Sequence, residues 1–103
     1  MRLPLASSAL ALCVALASAS AGAQAPPPGR LLASGCFQCH GTNGVISSGF
    51  GTLAGVSAKD MMSKLDDMRR KAPRSSIMTP HARGYTTEQL QSIAKYFAAQ
   101  PKP

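Results

Sequence analysis

The chain is 103 residues long, which allows one small domain. Eleven Lys and Arg residues stand against four Asp and Glu residues, giving a formal net charge of +7. A basic balance of this kind is compatible with nucleic acid, an anionic membrane or an acidic protein surface as the partner. The chain has no Trp, three Phe and two Tyr, so few large side chains are available to fill a core.

The N-terminal segment of the chain has the pattern of an export signal. Arg2 precedes an apolar stretch over residues 5–17, and residues 21–23 supply an A-x-A cleavage pattern. The apolar stretch is short for a transmembrane span, although an uncleaved N-terminal anchor is the alternative. Cys13 is interpreted as a small apolar residue that is lost with the signal. We therefore expect a signal peptide over residues 1–23 and a periplasmic protein.

A Pro-rich linker is predicted over residues 24–29, followed by a single domain over residues 30–103. A helix should begin near Arg30 and run into the pentapeptide Cys36-Phe37-Gln38-Cys39-His40. The pattern Cys-x-x-Cys-His is typical of covalent attachment of a c-type haem. One helical turn between the cysteines places both sulfurs on one side, where they can add to the two vinyl groups of a porphyrin. His40 then offers an imidazole nitrogen to the iron as proximal ligand.

Two other interpretations of the cysteine pair are weaker. A dithiol redox motif belongs in a strand-to-helix context, and no strong strand alternation lies near Cys36. A zinc site needs four good ligands, and only His81 and Cys13 remain outside the pentapeptide. A haem would also supply an apolar centre to the mature chain that cleavage after Ala23 would leave, which is near the lower size limit for an independent core.

Two loops and two helices are predicted after the pentapeptide. Residues 41–55 form a glycine-rich loop that can lie close to a flat ligand. A helix follows from about Ala58 to Lys71, with Ser57 as its N-cap and Pro73 terminating it. Residues 74–85 are predicted to be a second loop. The last helix begins at Thr86 and is stopped by Pro101, with an apolar stripe at Leu90, Ile93, Ala94 and Phe97.

The second iron ligand decides whether the haem carries electrons or binds small molecules. Met61, Met62 and Met68 recur at helical spacing and are more typical of core packing. Met78 lies in the second predicted loop, which can fold over the open haem face, so Met78 is the predicted distal ligand. His81 is the alternative, and Pro80 is expected to prevent both residues from facing the iron.

Other polar residues near these motifs have candidate roles toward the haem. Tyr85 and Tyr96 are candidates to bond a propionate or to pack with exposed polar tips. Arg74 and Arg83 are candidates to pair with propionates, with a surface role as the alternative.

Taken together, these motifs resemble the class I c-type cytochromes over nearly the whole predicted mature chain. More narrowly, residues 75–78, 82–86 and 93–97 resemble the cytochrome subunit of flavocytochrome c sulfide dehydrogenases. The resemblance implies a small all-α fold of three to four helices around one covalently bound haem c. It implies that Cys36 and Cys39 form the thioethers and that His40 and Met78 are the axial ligands.

The resemblance also implies a partner, an FAD-containing flavoprotein that oxidises sulfide and passes electrons to the haem. One departure is the segment Phe50-Gly51-Thr52, where such cytochromes have a proline whose carbonyl region orients the proximal histidine. Another carbonyl must serve here.

We expect a periplasmic electron-transfer protein, or a cytochrome subunit of a flavin-dependent oxidoreductase, with no enzyme activity of its own. The alternatives are a general shuttle to a terminal oxidase or other acceptor, and a haem enzyme or gas sensor with a labile distal ligand. We expect neither nucleic acid nor stable membrane insertion after cleavage. A basic rim around the haem edge is expected to meet an acidic partner face. Its predicted members are Lys59, Lys64, Arg69, Arg70, Lys71 and Arg74.

Overall fold

Helices and loops make up residues 25–103, the part of the chain that this computed structural model describes, and no strand occurs in that part. The predicted signal peptide, including Cys13, lies outside the described residues. The helices are α1 (Arg30–Ala33), α2 (Phe37–His40), α3 (Ala58–Arg70), α4 (Met78–Arg83) and α5 (Thr87–Ala98), with 3-10 turns at Ser34–Cys36 and Thr42–Gly44. The all-α prediction is confirmed.

The haem-motif segment, residues 30–40, is one helical path. Helix α1 passes through the 3-10 turn into α2 without leaving right-handed helical dihedral angles, as Ser34 (φ −59°, ψ −27°) and Cys36 (φ −87°, ψ −16°) show. The path ends where Gly41 adopts φ 83° and ψ 160°, an orientation that L-residues avoid. The predicted helix leading into the cysteine motif is therefore present.

Helices α3 and α5 begin at the predicted caps. The Ser57 side chain accepts a hydrogen bond from the Asp60 amide at 3.1 Å. Thr86 and Gln89 form a complete capping box, because each side chain bonds the backbone N–H of the other. Helix α5 ends at Ala98, three residues before Pro101, which agrees with the predicted stop.

The second predicted loop contains a helix, which corrects the expectation for residues 74–85. Pro80 and Gly84 suggest a loop, but Pro80 occupies the third position of α4, where the backbone N–H would have no intrahelical acceptor. The amide of Gly84 closes the helix by donating to the carbonyls of Pro80 and His81, both at 3.1 Å. Met78 therefore lies at the start of a short helix and not in an irregular loop.

The core lies between α5, α3 and the haem-motif segment. Phe97 is completely buried and makes edge contacts with Phe37 and Tyr96, at ring-centroid distances of 6.1 and 5.5 Å. Gly44 packs directly on Phe97, since a Cβ atom on Gly44 would lie 2.7 Å from the ring. The predicted stripe of α5 is thus confirmed as buried. The buried core residues are Ala33, Met61, Leu90, Ile93, Ala94, Tyr96 and Phe97.

Candidate functional site

A large cavity brings the predicted site residues together. It has a volume of about 630 Å³, lies between the haem-motif segment, α3 and α4, and has a mainly apolar wall. Cys36, Cys39, His40 and Met78 all line it, although Met78 lies far from His40 along the chain. Its apolar lining residues are Phe50, Leu53, Val56, Met61, Leu65, Met68, Ile77, Ala82, Leu90, Ile93 and Phe97.

The two cysteines differ in their environments. Both are free thiols; Cys36 is half-buried against the core, whereas Cys39 is exposed. Burial, with a smaller contribution from the nearby Cys39, raises the pKa of the Cys36 thiol above its ordinary value. No cluster of three or more His, Cys, Asp or Glu side chains that could hold a metal ion is present within residues 25–103.

His40 is oriented by the backbone of the glycine-rich loop. It is 9% exposed, and its Nδ1 lies 2.7 Å from the carbonyl oxygen of Gly51. A carbonyl can only accept, so Nδ1 carries a proton, and in the neutral ring Nε2 keeps the lone pair that a metal needs. Gly51 is the carbonyl that the sequence could not identify. The only sequence signal for Gly51 was that it lies in Phe50-Gly51-Thr52, the segment where the resemblance led us to expect a proline.

The position of the Gly51 carbonyl depends on the fold of its loop. The Thr52 hydroxyl donates to the Ile46 carbonyl at 2.9 Å and accepts from the Ile46 amide at 3.3 Å. These two bonds hold together the residues on either side of segment 47–51, which contains Gly51. The Phe50 ring contacts His40 edge-on, with 6.3 Å between ring centroids. Within residues 25–103, the imidazole is therefore held by one hydrogen bond and one aromatic contact.

Gly41 offers a sharp test of this loop. An added methyl group at Gly41 (φ 83°) would overlap the Val45 carbonyl oxygen, whereas at Gly49 (φ 84°) it would meet nothing within 4 Å. We expect Gly49→Ala to lower the free energy of unfolding by about 1–2 kcal/mol, the cost of a left-handed alanine. We expect Gly41→Ala to lower it by a further ~1–3 kcal/mol because of overpacking. Urea titration of both variants measures the difference, and equal losses would contradict the close approach.

Both candidate distal ligands reach the cavity. Met78 and His81 are three residues apart on α4, so they share a face of the helix, and both line the cavity. Both line the cavity although Pro80 lies between them; that only one of the two faces the iron stays a prediction. Met78 is half-buried and His81 is exposed.

Two of the four other side chains that were candidates to contact the haem form hydrogen bonds with the protein. The Tyr96 hydroxyl donates to Asn43, and the Arg83 guanidinium donates to backbone carbonyls of Arg69 and Lys71. Tyr85 lines the cavity, and Arg74 is exposed.

Of the six residues of the predicted basic rim, only Lys64 lines the cavity. Lys71 is paired with Asp67 at 3.0 Å, and Arg69 pairs with Asp66. The positive charge near the cavity is therefore less concentrated than a continuous basic rim would make it.

Comparison with known proteins shows the family of the chain. No protein-family model matches the chain. The chain is 35% identical over 69 residues to cytochrome c-554(548) of Halomonas halodenitrificans and covers 83% of that protein, with 63% of its own length aligned. The chain belongs to the class I c-type cytochromes. Haem c is accordingly the cofactor that the family implies.

Two further relatives of this cytochrome are named for dehydrogenases. It is 38% identical over 69 residues to the cytochrome subunit of sulfide dehydrogenase from Chlorobaculum tepidum. It is 36% identical over 73 residues to the thiosulfate dehydrogenase electron acceptor of Stutzerimonas stutzeri. These alignments use 67% and 69% of this chain but span only 63% and 34% of the two relatives.

The residues of the cavity fit a haem. Two thiols one helical turn apart, an imidazole with a free Nε2 and a thioether are the donors that c-type ligation uses. The volume and the apolar lining suit a large flat ring with a few polar groups at its edge. None of the helices in the described part of the chain combines the length and apolar character that a membrane span requires.

Proposed function

We propose that this protein is a periplasmic monohaem cytochrome c that accepts single electrons from a flavoprotein dehydrogenase of the sulfide-oxidising type. The observation that carries the proposal is the convergence of Cys36, Cys39, His40 and Met78 on one cavity. The names of two relatives, a subunit and an electron acceptor of sulfur-compound dehydrogenases, support the class of donor. The predicted boundaries complete the proposal, with a signal peptide over residues 1–23, a linker over 24–29 and the haem domain over 30–103.

The four donors have distinct roles. Cys36 and Cys39 would hold the porphyrin edge as thioethers, and the His40 imidazole and the Met78 thioether would be the protein ligands of the iron. When bound, the haem supplies an iron that cycles between two oxidation states. The Gly51 carbonyl holds the His40 ring in one orientation and one tautomer, so the imidazole would not have to reorient when the charge of a bound iron changes. Two protein ligands that stay in place would keep the rearrangement on electron transfer small.

The attachment chemistry has a direct test. Mass spectrometry of the purified protein under denaturing conditions should show one haem retained per chain, because thioethers survive unfolding. The variants Cys36→Ser and Cys39→Ser should each retain haem through one bond, and the double variant should lose it on denaturation. A haem that separates from the wild-type protein on denaturation would contradict covalent attachment.

The donor has a separate test. Stopped-flow mixing with an FAD-containing sulfide dehydrogenase and sulfide should reduce the haem. The rate should fall as salt is added, since charge attraction between a basic cytochrome and an acidic face is screened. If the flavoprotein never reduces the haem, the donor assignment fails while the haem assignment stands.

A general electron shuttle is the second candidate. It is favoured by the relative that this chain covers most fully, whose name mentions no dehydrogenase. A shuttle would be oxidised by a terminal oxidase as fast as it is reduced, and it would not co-purify with a flavoprotein. A haem enzyme or gas sensor would instead bind carbon monoxide tightly in the untreated ferrous state.

A further inference from the structure

Arg83 makes two hydrogen bonds that tie α4 to the end of α3. Its Nε donates to the Arg69 carbonyl at 3.0 Å, and its Nη2 donates to the Lys71 carbonyl at 2.7 Å. Helix α3 ends at Arg70, and the last carbonyls of a helix have no intrahelical donors. A guanidinium placed there satisfies two of these carbonyls and is also favoured by the negative end of the helix dipole.

These bonds close a loop that contains Met78. The chain leaves α3 at Lys71, which is extended (ψ 163°), and returns at Arg83, the last residue of α4. Residues 72–82 lie between the two points that Arg83 joins. Opening the Arg83 contact would therefore free one end of the segment that places Met78 at the cavity.

The other end of the same segment is held by hydroxyl groups. Thr79 is completely buried, and its Oγ1 lies 3.2 Å from the Ser75 hydroxyl and 3.3 Å from the Ser76 hydroxyl. The Ser75 hydroxyl donates in turn to the Ala72 carbonyl at 2.8 Å. This cluster is local, because all its members lie within residues 72–79. Within residues 25–103, the hydrogen bonds made by side chains of α4 to α3 and its exit are those of Arg83.

We propose that Arg83 is a positioning residue. Its two hydrogen bonds act as a latch that holds residues 72–82, the Met78 segment, against the end of α3, and so set how often Met78 leaves the iron. The inference rests on the proposed ligation by Met78. Arg83 does not line the cavity, so it acts through the segment and not by touching the haem. Its Nε and Nη2 donate to backbone carbonyls, so the role proposed here does not depend on pairing of Arg83 with a propionate.

The test measures how fast imidazole enters the ferric haem, a rate limited by departure of the distal ligand. Arg83→Gln should raise this rate about tenfold, since a charged donor bonded to a carbonyl contributes on that scale. Arg83→Lys, which keeps the charge but can satisfy one carbonyl at most, should give a smaller increase. Lys95→Gln is the control for the loss of one positive charge, because Lys95 is exposed on α5, does not line the cavity and has no side-chain hydrogen bond within residues 25–103; it should leave the rate unchanged.

A second readout separates a latch from general stabilisation of α3. On heating, Arg83→Gln should lose the near-infrared sulfur-to-iron band well below the temperature at which helical circular dichroism is lost, and amide exchange should rise in residues 72–82. Parallel loss of both signals, or an imidazole entry rate in Arg83→Gln equal to that of Lys95→Gln, would overturn the latch. Absence of the sulfur-to-iron band from the wild-type protein would instead overturn Met78 as ligand, which is a failure of the proposed function.

Discussion

Met78→Ala is expected to abolish the near-infrared sulfur-to-iron charge-transfer band of the ferric protein and to lower its reduction potential. A thioether favours the ferrous state more than water or nitrogen ligands do. A hundredfold change in the relative affinity of the ligand for the two oxidation states corresponds to about 120 mV for a one-electron couple, so a fall on that order is expected. Redox titration with the spectrum recorded at each step measures both changes.

Met62→Ala is the matched control for this experiment. Met62 is half-buried and packs against the core, but it is not among the residues that line the cavity. The variant should keep the band and a potential close to that of the wild type. His81→Ala should do the same. If His81→Ala changes the axial spectrum and Met78→Ala does not, His81 is the distal ligand.

Phe97→Ala is expected to cost about 3–5 kcal/mol of unfolding free energy, the usual loss for deleting a buried phenyl ring. Phe97 has no exposed surface and touches the haem-motif segment through Phe37 and the glycine-rich loop through Gly44. The expected loss is a large share of the roughly 5–15 kcal/mol that stabilises a typical domain. Guanidinium unfolding of the oxidised protein, followed by circular dichroism, measures it.

Phe50→Ala makes the same chemical change at an exposed position. Phe50 is 64% exposed and also lines the cavity, so the two variants differ mainly in burial. We expect Phe50→Ala to cost less than about 1 kcal/mol. If the two variants lost similar amounts of unfolding free energy, burial of the Phe97 ring would not give the stabilisation expected of it.

The parts of the fold predicted from the sequence are those that depend on neighbouring residues. The capping box of Thr86 and Gln89 and the N-cap at Ser57 involve residues three apart, and the apolar stripe of α5 follows from helical spacing. The helix leading into Cys36-x-x-Cys39-His40 is equally local. Short-range geometry of this kind depends on the order of neighbouring residues and can therefore be predicted from the sequence.

The helix at Met78 was missed because its local signals conflict. Pro80 and Gly84 are turn residues, and their tolerance in α4 depends on where they fall within one turn and at its end. The segment is then fixed by contacts to α3 that no local pattern contains, including the two bonds of Arg83. Arg83 was a candidate for a propionate because a sequence shows a charge but not the carbonyls it meets.

The orientation of His40 was the other missing part. The motif supplied the imidazole, but the acceptor for its Nδ1 is a backbone carbonyl, at Gly51, and every residue has one. Side-chain identity gives no information on which carbonyl comes within 2.7 Å. That depends on how Thr52 and Ile46 close the loop.

The sequence by itself determined the chemistry of this protein: a Cys-x-x-Cys-His motif, a later methionine and histidine, and amphipathic helices with their caps. The tertiary structure decided the arrangement. In the folded chain Met78, His81 and His40 line one cavity. The Gly51 carbonyl orients the imidazole, and Arg83 joins α4 to α3. The physical reason is that ligand type and helical period are properties of single residues and their near neighbours. Contacts between segments that are distant in the chain depend on how the whole chain packs.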